Sequence, residues 1–210
     1  MSLPFPAKYL LICGILASLL YVGSDILASM NWDGYSYISQ TVSELRGIGA
    51  PTRTFLIPVL FLYAVLEILF GLGVWLEAGQ KRSLRIAGGI LIGLGVLDLM
   101  GPFFSLNLNE EVGSFTNMLH VIVTGLTMLL LLLIIGFGAI AGGKWFRLYS
   151  FLTILIFLVT GAWAFSDISR IAANLPTPWL GIRERIGIYG YMLWMLVLAG
   201  YLLRSPRKAH

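Results

Sequence analysis

The chain has 210 residues, of which 58% are hydrophobic and 11% charged, with a net charge of +4 and a mean hydropathy of +0.88. A soluble domain of this length carries about a quarter charged residues, so the composition excludes an ordinary soluble protein and indicates a membrane protein. The basic excess does not imply nucleic acid, because the lysines and arginines follow the loops between apolar runs rather than forming one patch.

Six continuous apolar segments match the roughly 20 residues needed to span a bilayer. They cover 9–29, 54–76, 86–104, 115–141, 145–166 and 185–203. Continuous rather than alternating hydrophobicity excludes a β-barrel. No stretch remains for a separate soluble domain, so residues 1–210 read as one all-α unit: a compact six-transmembrane-helix bundle, multi-pass in the cell membrane and surrounded by its lipids. The first segment has features of a secretory signal, with Lys8 ahead of an apolar run and small residues near Ala28, but it is taken as a retained span. Cys13 is the only cysteine, which excludes an internal disulfide and reads as a buried apolar thiol.

A polar stretch follows the first span. Asp33 is a good N-cap and Gly47 a good C-terminal stop. Between them Tyr35, Ile38, Val42 and Leu45 recur at spacings of three, four and three, while Ser36, Ser39, Gln40 and Ser43 take the opposite side. This predicts a short amphipathic helix over 33–46, lying at the membrane surface with its apolar face on the bundle. Thr41-Val42-Ser43-Glu44 also fits a capping box, which would start the helix later. Gly47, Gly49 and Pro51 then turn the chain into the second span.

Placing both termini in the cytoplasm puts Lys8, Lys81, Arg82, Arg85, Lys144, Arg147, Arg204, Arg207 and Lys208 inside, nine of the fourteen basic residues. Arg46, Arg53, Arg170, Arg183 and Arg185 then lie outside, in keeping with the positive-inside rule. The outer connections are the longer ones, and elaborated loops on one side of a scaffold mark its working face. Gly89-x-x-x-Gly93 and Gly138-x-x-x-Gly142 are candidate close helix contacts.

Charges in hydrocarbon cost at least ~2.5–3.5 kcal/mol near the centre of a span, so they face protein or water. Span one carries Ser18, Tyr21, Asp25 and Ser29 on one stripe; span four carries Asn117, His120, Thr124 and Thr127. Asp98 in span three precedes Pro102 by four residues, beside a carbonyl that proline leaves without its N–H. Asp167 and Arg170 end span five one turn apart and able to pair. These stripes share one leaflet, which predicts an outward-facing polar cavity. Glu67 lies deeper, about 20 Å below Thr54 at 1.5 Å per residue.

Each group also has a plainer role. His120 reads as a metal ligand or general base, or as a hydrogen-bonded structural histidine; His210, the other histidine, is at the far terminus. Asp25 and Asp98 read as ligands or proton carriers, or as partners for outer arginines. Glu44 caps its helix or faces the cavity. Arg183 and Arg185 flank Glu184 and would bind a phosphate or carboxylate, or snorkel to the interface. Trp32, Trp145 and Trp179 read as an interfacial belt. No nucleophile elbow, phosphate loop, paired-histidine metal motif or CxxC is present.

Several short blocks carry a family resemblance. They are Ile38-Ser39-Gln40-Thr41-Val42-Ser43-Glu44-Leu45 with Gly49 and Pro51, Gly101-Pro102-Phe103, His120, Gly181-Ile182-Arg183-Glu184-Arg185-Ile186, and Trp194. With these blocks at matching spacing over nearly all its length, the chain resembles the domain-of-unknown-function 998 family of bacterial and archaeal membrane proteins. Similar proteins tend to carry an aspartate soon after the proline of span three, where this chain reads Ser105-Leu106-Asn107-Leu108-Asn109-Glu110. If a carboxylate is needed there, Glu110 or Asp98 must supply it. The resemblance implies a six-span fold and brings no activity with it.

The residues themselves therefore set the expectations. Asp25, Asp98, His120 and Asp167 should converge in the outer half of the bundle, with Glu44, Arg170 and Arg185 at the rim. The expected role is binding or transport of a polar small molecule or lipid headgroup. The alternative is a membrane-embedded hydrolase or transferase, metal-dependent or not, using His120 and nearby carboxylates. The sequence assigns no metal site, no cofactor and no oligomeric state.

Overall fold

Where lipid replaces water, each backbone N–H and C=O must be satisfied within its own segment, so the apolar runs become helices. The computed structural model describes residues 7–173 and 175–204; Arg207, Lys208 and His210 lie outside the described residues. Six long helices run in sequence: α1 (Ala7–Met30), α3 (Arg53–Glu77), α4 (Arg82–Leu99), α5 (Phe115–Ala141), α6 (Lys144–Phe165) and α8 (Leu180–Arg204). Two short ones, α2 (Val42–Leu45) and α7 (Ile168–Ala172), lie in the connections.

Five of the long helices are long and apolar enough to cross a membrane by length and composition. The exception is α4, whose 18 residues include Arg82, Arg85 and Asp98. Those residues still extend about 27 Å at 1.5 Å per residue, close to the hydrocarbon thickness of ~30 Å. The expected third span also ends earlier than its apolar run. The helix stops at Leu99, ahead of Pro102, and Gly101–Phe104 form a 3-10 turn.

The helices form a closed ring. Each packs on its sequence neighbours in the order α1, α3, α4, α5, α6, α8, and α8 returns to α1. The backbones of α3 and α4 approach closely. A Cβ added at Gly88 would lie 2.7 Å from the Trp75 nitrogen and 2.9 Å from the Gly71 carbonyl oxygen. The two glycine pairs singled out in the sequence do something different. Gly89 and Gly138 lie against the rings of Trp75 and Trp194, while an added Cβ at Gly93 meets nothing within 4 Å. Polar side chains tie the ring internally: the Ser18 hydroxyl is 2.9 Å from the Met192 carbonyl, and the Trp194 indole N–H donates to Ser150 Oγ at 2.8 Å. Large apolar residues such as Val121, Ile122, Phe151 and Leu155 face outward, as lipid contact requires.

The connections 31–52, 100–114 and 166–179 gather at one end. Ile48 N–H donates to the Leu106 carbonyl at 2.7 Å and Leu108 N–H to the Ile48 carbonyl at 2.9 Å. At the other end Lys81 donates to the Ala141 carbonyl at 3.0 Å.

The surface helix is shorter than the Asp33 start predicts. Residues 33–41 form turns, and only Val42–Leu45 are helical, started by the Thr41–Glu44 capping box. Val42 and Leu45 are buried as expected, but Ile38 is 46% exposed. Cys13 is partly rather than fully buried.

Candidate functional site

The segment 37–46 docks on the first turns of α8, and the sequence makes that approach feasible at one glycine. A Cβ on Gly181 would stand 2.2 Å from the Gln40 carbonyl oxygen and 2.7 Å from that of Tyr37. Ile182 N–H donates to the Ile38 carbonyl at 3.1 Å, and Glu184 Oε2 accepts from Val42 N–H at 2.6 Å. A carboxylate at the amino end of α2 meets an otherwise unpaired N–H there.

Arg185 fixes the same segment from below. Its guanidinium donates to Asp25 at 2.9 and 3.1 Å, to the Tyr37 and Gln40 carbonyls at 2.9 and 3.1 Å, and to the Tyr35 hydroxyl at 2.8 Å. It also stacks 3.8 Å from the Tyr37 ring centroid. Tyr189 donates its hydroxyl to Asp25 and meets Tyr37 Oη at 2.8 Å. Burial pushes the Tyr35 phenol above its usual value. Arg183 is likewise buried: it donates to Asp167 and lies 4.1 Å over the Trp163 ring. Neither arginine snorkels to the interface.

Beneath this cap, in the middle of the ring, is a cavity of about 190 Å³. All six long helices line it. Its polar end carries Ser43, Arg46, Asp98, Ser105, His120, Arg183 and Glu184. Asp98, His120 and Glu184 each lie within five residues of the same end of their helices, about 8 Å of rise. The deeper end is apolar, formed by Leu94, Met128, Leu131, Phe157 and Met192.

Arg46 is the cavity's free cation. Among the described residues the ion pairs within 4.0 Å are Arg170–Asp167, Arg183–Asp167 and Arg185–Asp25, so Arg46, Asp98 and Glu184 have none. The Arg46 guanidinium has no hydrogen-bond partner among the described residues either. Burial works against its charge, yet Tyr21, Asp98 and Glu184 nearby hold it above the usual arginine value. His120 completes this ring of groups. Its Nδ1 lies 2.8 Å from the Phe104 carbonyl oxygen. A carbonyl only accepts, so Nδ1 carries the hydrogen and Nε2 of the neutral ring keeps a lone pair.

The residues singled out in the sequence divide into two sets. Asp98 and His120 meet in the cavity, joined by Tyr21, Thr124 and Thr127 from the two polar stripes. The others lie elsewhere. Asp25 and Arg185 are spent on each other and on the cap, and Asp167 is spent on Arg183. Glu44 serves its capping box, accepting from Thr41 N–H at 3.0 Å and from Gln40 Nε2 at 2.7 Å. Arg170 is at 4.0 Å from Asp167, with its side chain 46% exposed, and donates to the Pro176 carbonyl. The four acids and bases thus do not form one network. Arg46 and Glu184 take their places in the cavity. Arg46 sits in a loop, where nothing local shows that it folds inward; Glu184 lies between Arg183 and Arg185 and reads locally as their partner.

A family model described as a protein of unknown function (DUF998) matches residues 15–201. The chain belongs to the DUF998 family. No curated protein and no solved structure matches it. The blocks that carry the resemblance to DUF998 proteins meet in space: 38–45 rests on 181–186, and the turn at 101–104 receives His120.

Proposed function

We infer that this membrane protein binds a small polar molecule or a lipid headgroup in its central cavity, near the outer leaflet of the cell membrane with both termini cytoplasmic. One observation carries the reading: Arg46, which has no hydrogen bond or ion pair within 4.0 Å among the described residues, lines a cavity whose other end is apolar. A guanidinium facing a cavity with no hydrogen bond or ion pair within 4.0 Å among the described residues leaves its donors for a ligand that supplies acceptors. Size narrows the choice. The cavity's 190 Å³ exceeds the ~150 Å³ that holds a benzene and falls below the roughly 300–1,000 Å³ of drug-sized pockets. That suits a small solute, or one end of an amphiphile whose tail leaves along the apolar wall.

Native mass spectrometry of protein purified in mild detergent tests this. Wild type should retain a ligand that Gly161→Phe excludes. Gly161 lines the cavity and an added Cβ there meets nothing within 4 Å, so a larger side chain can start there without a clash at its first atom. Equal occupancy in both proteins would refute the reading.

A hydrolase or transferase role is the second reading, favoured by the free lone pair on His120 Nε2 in the cavity that also holds Asp98. Among the described residues no three His, Cys, Asp or Glu side chains come together to hold a metal ion. In the acid–base version His120 Nε2 is the base, and His120→Gln would abolish turnover while the protein still folds, read as its unfolding midpoint.

A further inference from the structure

The charges in the cavity are unequal, and that inequality specifies the ligand more closely. Arg46 is the one cation there without an ion pair among the described residues, because Arg183 is paired with Asp167. Against it stand Asp98, with the Glu67 carboxyl beside it, and Glu184, neither in an ion pair among the described residues, and the acceptor Nε2 of His120. Arg46 is within electrostatic range of all three, yet no carboxylate comes within 4.0 Å of it. A ligand that presents acceptors to Arg46 and donors to the acids would match this arrangement. Glu184 retains capacity, since its oxygens accept from Val42 N–H and, at 3.5 Å, from Ser43, and a carboxylate has about four lone-pair sites.

We propose that the cavity selects a zwitterion bearing a primary ammonium beside a phosphate or carboxylate, the chemistry of a phosphoethanolamine headgroup. This rests on the binding reading above. An ammonium offers three N–H donors and no acceptor, and Asp98, Glu184 and His120 Nε2 are three acceptors from three different helices, α4, α8 and α5. The anionic group goes to Arg46, for which a planar guanidinium is the better fit than an ammonium. A polyol would satisfy the hydrogen bonds but bring no charge to Arg46 or to the two acids. A quaternary ammonium would compensate charge but has no N–H for the three acceptors. A purely anionic headgroup would add to the negative excess.

Full-length protein in nanodiscs and in detergent tests the idea, read by native mass spectrometry and by the unfolding midpoint, which a native-state ligand raises. Nanodiscs contain phosphatidylethanolamine, phosphatidylcholine, phosphatidylglycerol or a glycosyl diacylglycerol; soluble arms use O-phosphoethanolamine and phosphocholine. The expected result is roughly tenfold or greater preference for the ethanolamine over the choline form, the size of one lost charged hydrogen bond. That preference should shrink in both Asp98→Asn and Glu184→Gln. Preference in the lipid arm alone assigns a membrane headgroup, and in the soluble arm alone a free zwitterion; either supports the proposal. Equal retention of ethanolamine, choline and glycerol forms, or stronger retention of the glycosyl lipid, overturns it while leaving a binding cavity in place. If no probe is retained and Gly161→Phe changes nothing, the binding reading falls as well. Should an acid variant fail to fold, the wild-type comparison of ethanolamine with choline still decides.

Discussion

Arg185 and Asp25, 160 positions apart, meet through two hydrogen bonds of 2.9 and 3.1 Å with both side chains 2% exposed. The pair joins α8 to α1, and the remaining Arg185 donors hold the Tyr37 and Gln40 carbonyls of the cap. Removing one partner of such a pair leaves a buried charge alone, at about 3–5 kcal/mol. Asp25→Ala and Arg185→Ala should each lower the unfolding midpoint in detergent. Arg185→Ala should lower it further, because the cap carbonyls also lose their donor. The double variant should cost less than the sum, as expected for coupled sites. An Asp25→Ala protein with a wild-type midpoint would show that the pair braces nothing.

Glu67 makes a different prediction. It is fully buried, accepts from the Tyr63 and Tyr191 hydroxyls at 3.2 and 3.3 Å through Oε1, and has the Asp98 carboxyl beside it. No cation among the described residues lies within 4.0 Å of it. Glutamine supplies the same acceptor oxygen without a buried charge, so Glu67→Gln should unfold close to wild type. Glu67→Ala strands two phenols, at about 1–3 kcal/mol each, and opens a void beside them. A Gln variant as unstable as the Ala variant would mean that the carboxylate charge itself is required.

The two ring nitrogens of His120 have separable duties. Nδ1 anchors the 101–104 turn through the Phe104 carbonyl, while Nε2 is the acceptor in the cavity. Asparagine places an N–H near the Nδ1 position, so His120→Asn should keep the turn and its stability but lose the contribution of Nε2 to ligand retention. His120→Leu should lose both, with about 1 kcal/mol of destabilisation for the missing hydrogen bond. Ligand retention by His120→Asn at the wild-type level would remove Nε2 from the site.

Much of this was legible in the sequence, and the parts that were not have a common cause. The polar stripes led to the cavity, since periodicity reports a face: Tyr21, His120, Thr124 and Thr127 all reach it. Helix content and the gathering of long connections at one end followed from hydropathy alone. The surface helix was ambiguous because two start signals competed. The later one prevails because Arg185 takes the carbonyls of Tyr37 and Gln40, which a helix from Asp33 would need for itself, and Glu184 meets Val42 N–H. Both causes lie about 140 residues downstream. The inward turn of Arg46 has the same kind of cause. Its position in a loop reads as a solvated charge, and only the fold of 37–46 over the ring turns it inward.

The orientation of the bundle governs what the cavity can meet. In the proposed orientation, which follows the positive-inside rule, the 31–52, 100–114 and 166–179 connections lie outside and Lys81, Arg82, Arg85, Lys144 and Arg147 inside. Cysteine labelling checks it at two exposed positions, Asp33 and Gln80, at opposite ends of the ring, in a Cys13→Ser background. Ser43 is a poor reporter, being buried under the cap. In intact cells a membrane-impermeant maleimide should label Asp33→Cys, while Gln80→Cys should label only after lysis. The inverse pattern would reverse the map. The polar end of the cavity would then draw on the inner leaflet and the cytoplasm, and Arg46 would face a different pool of headgroups with its local chemistry unchanged.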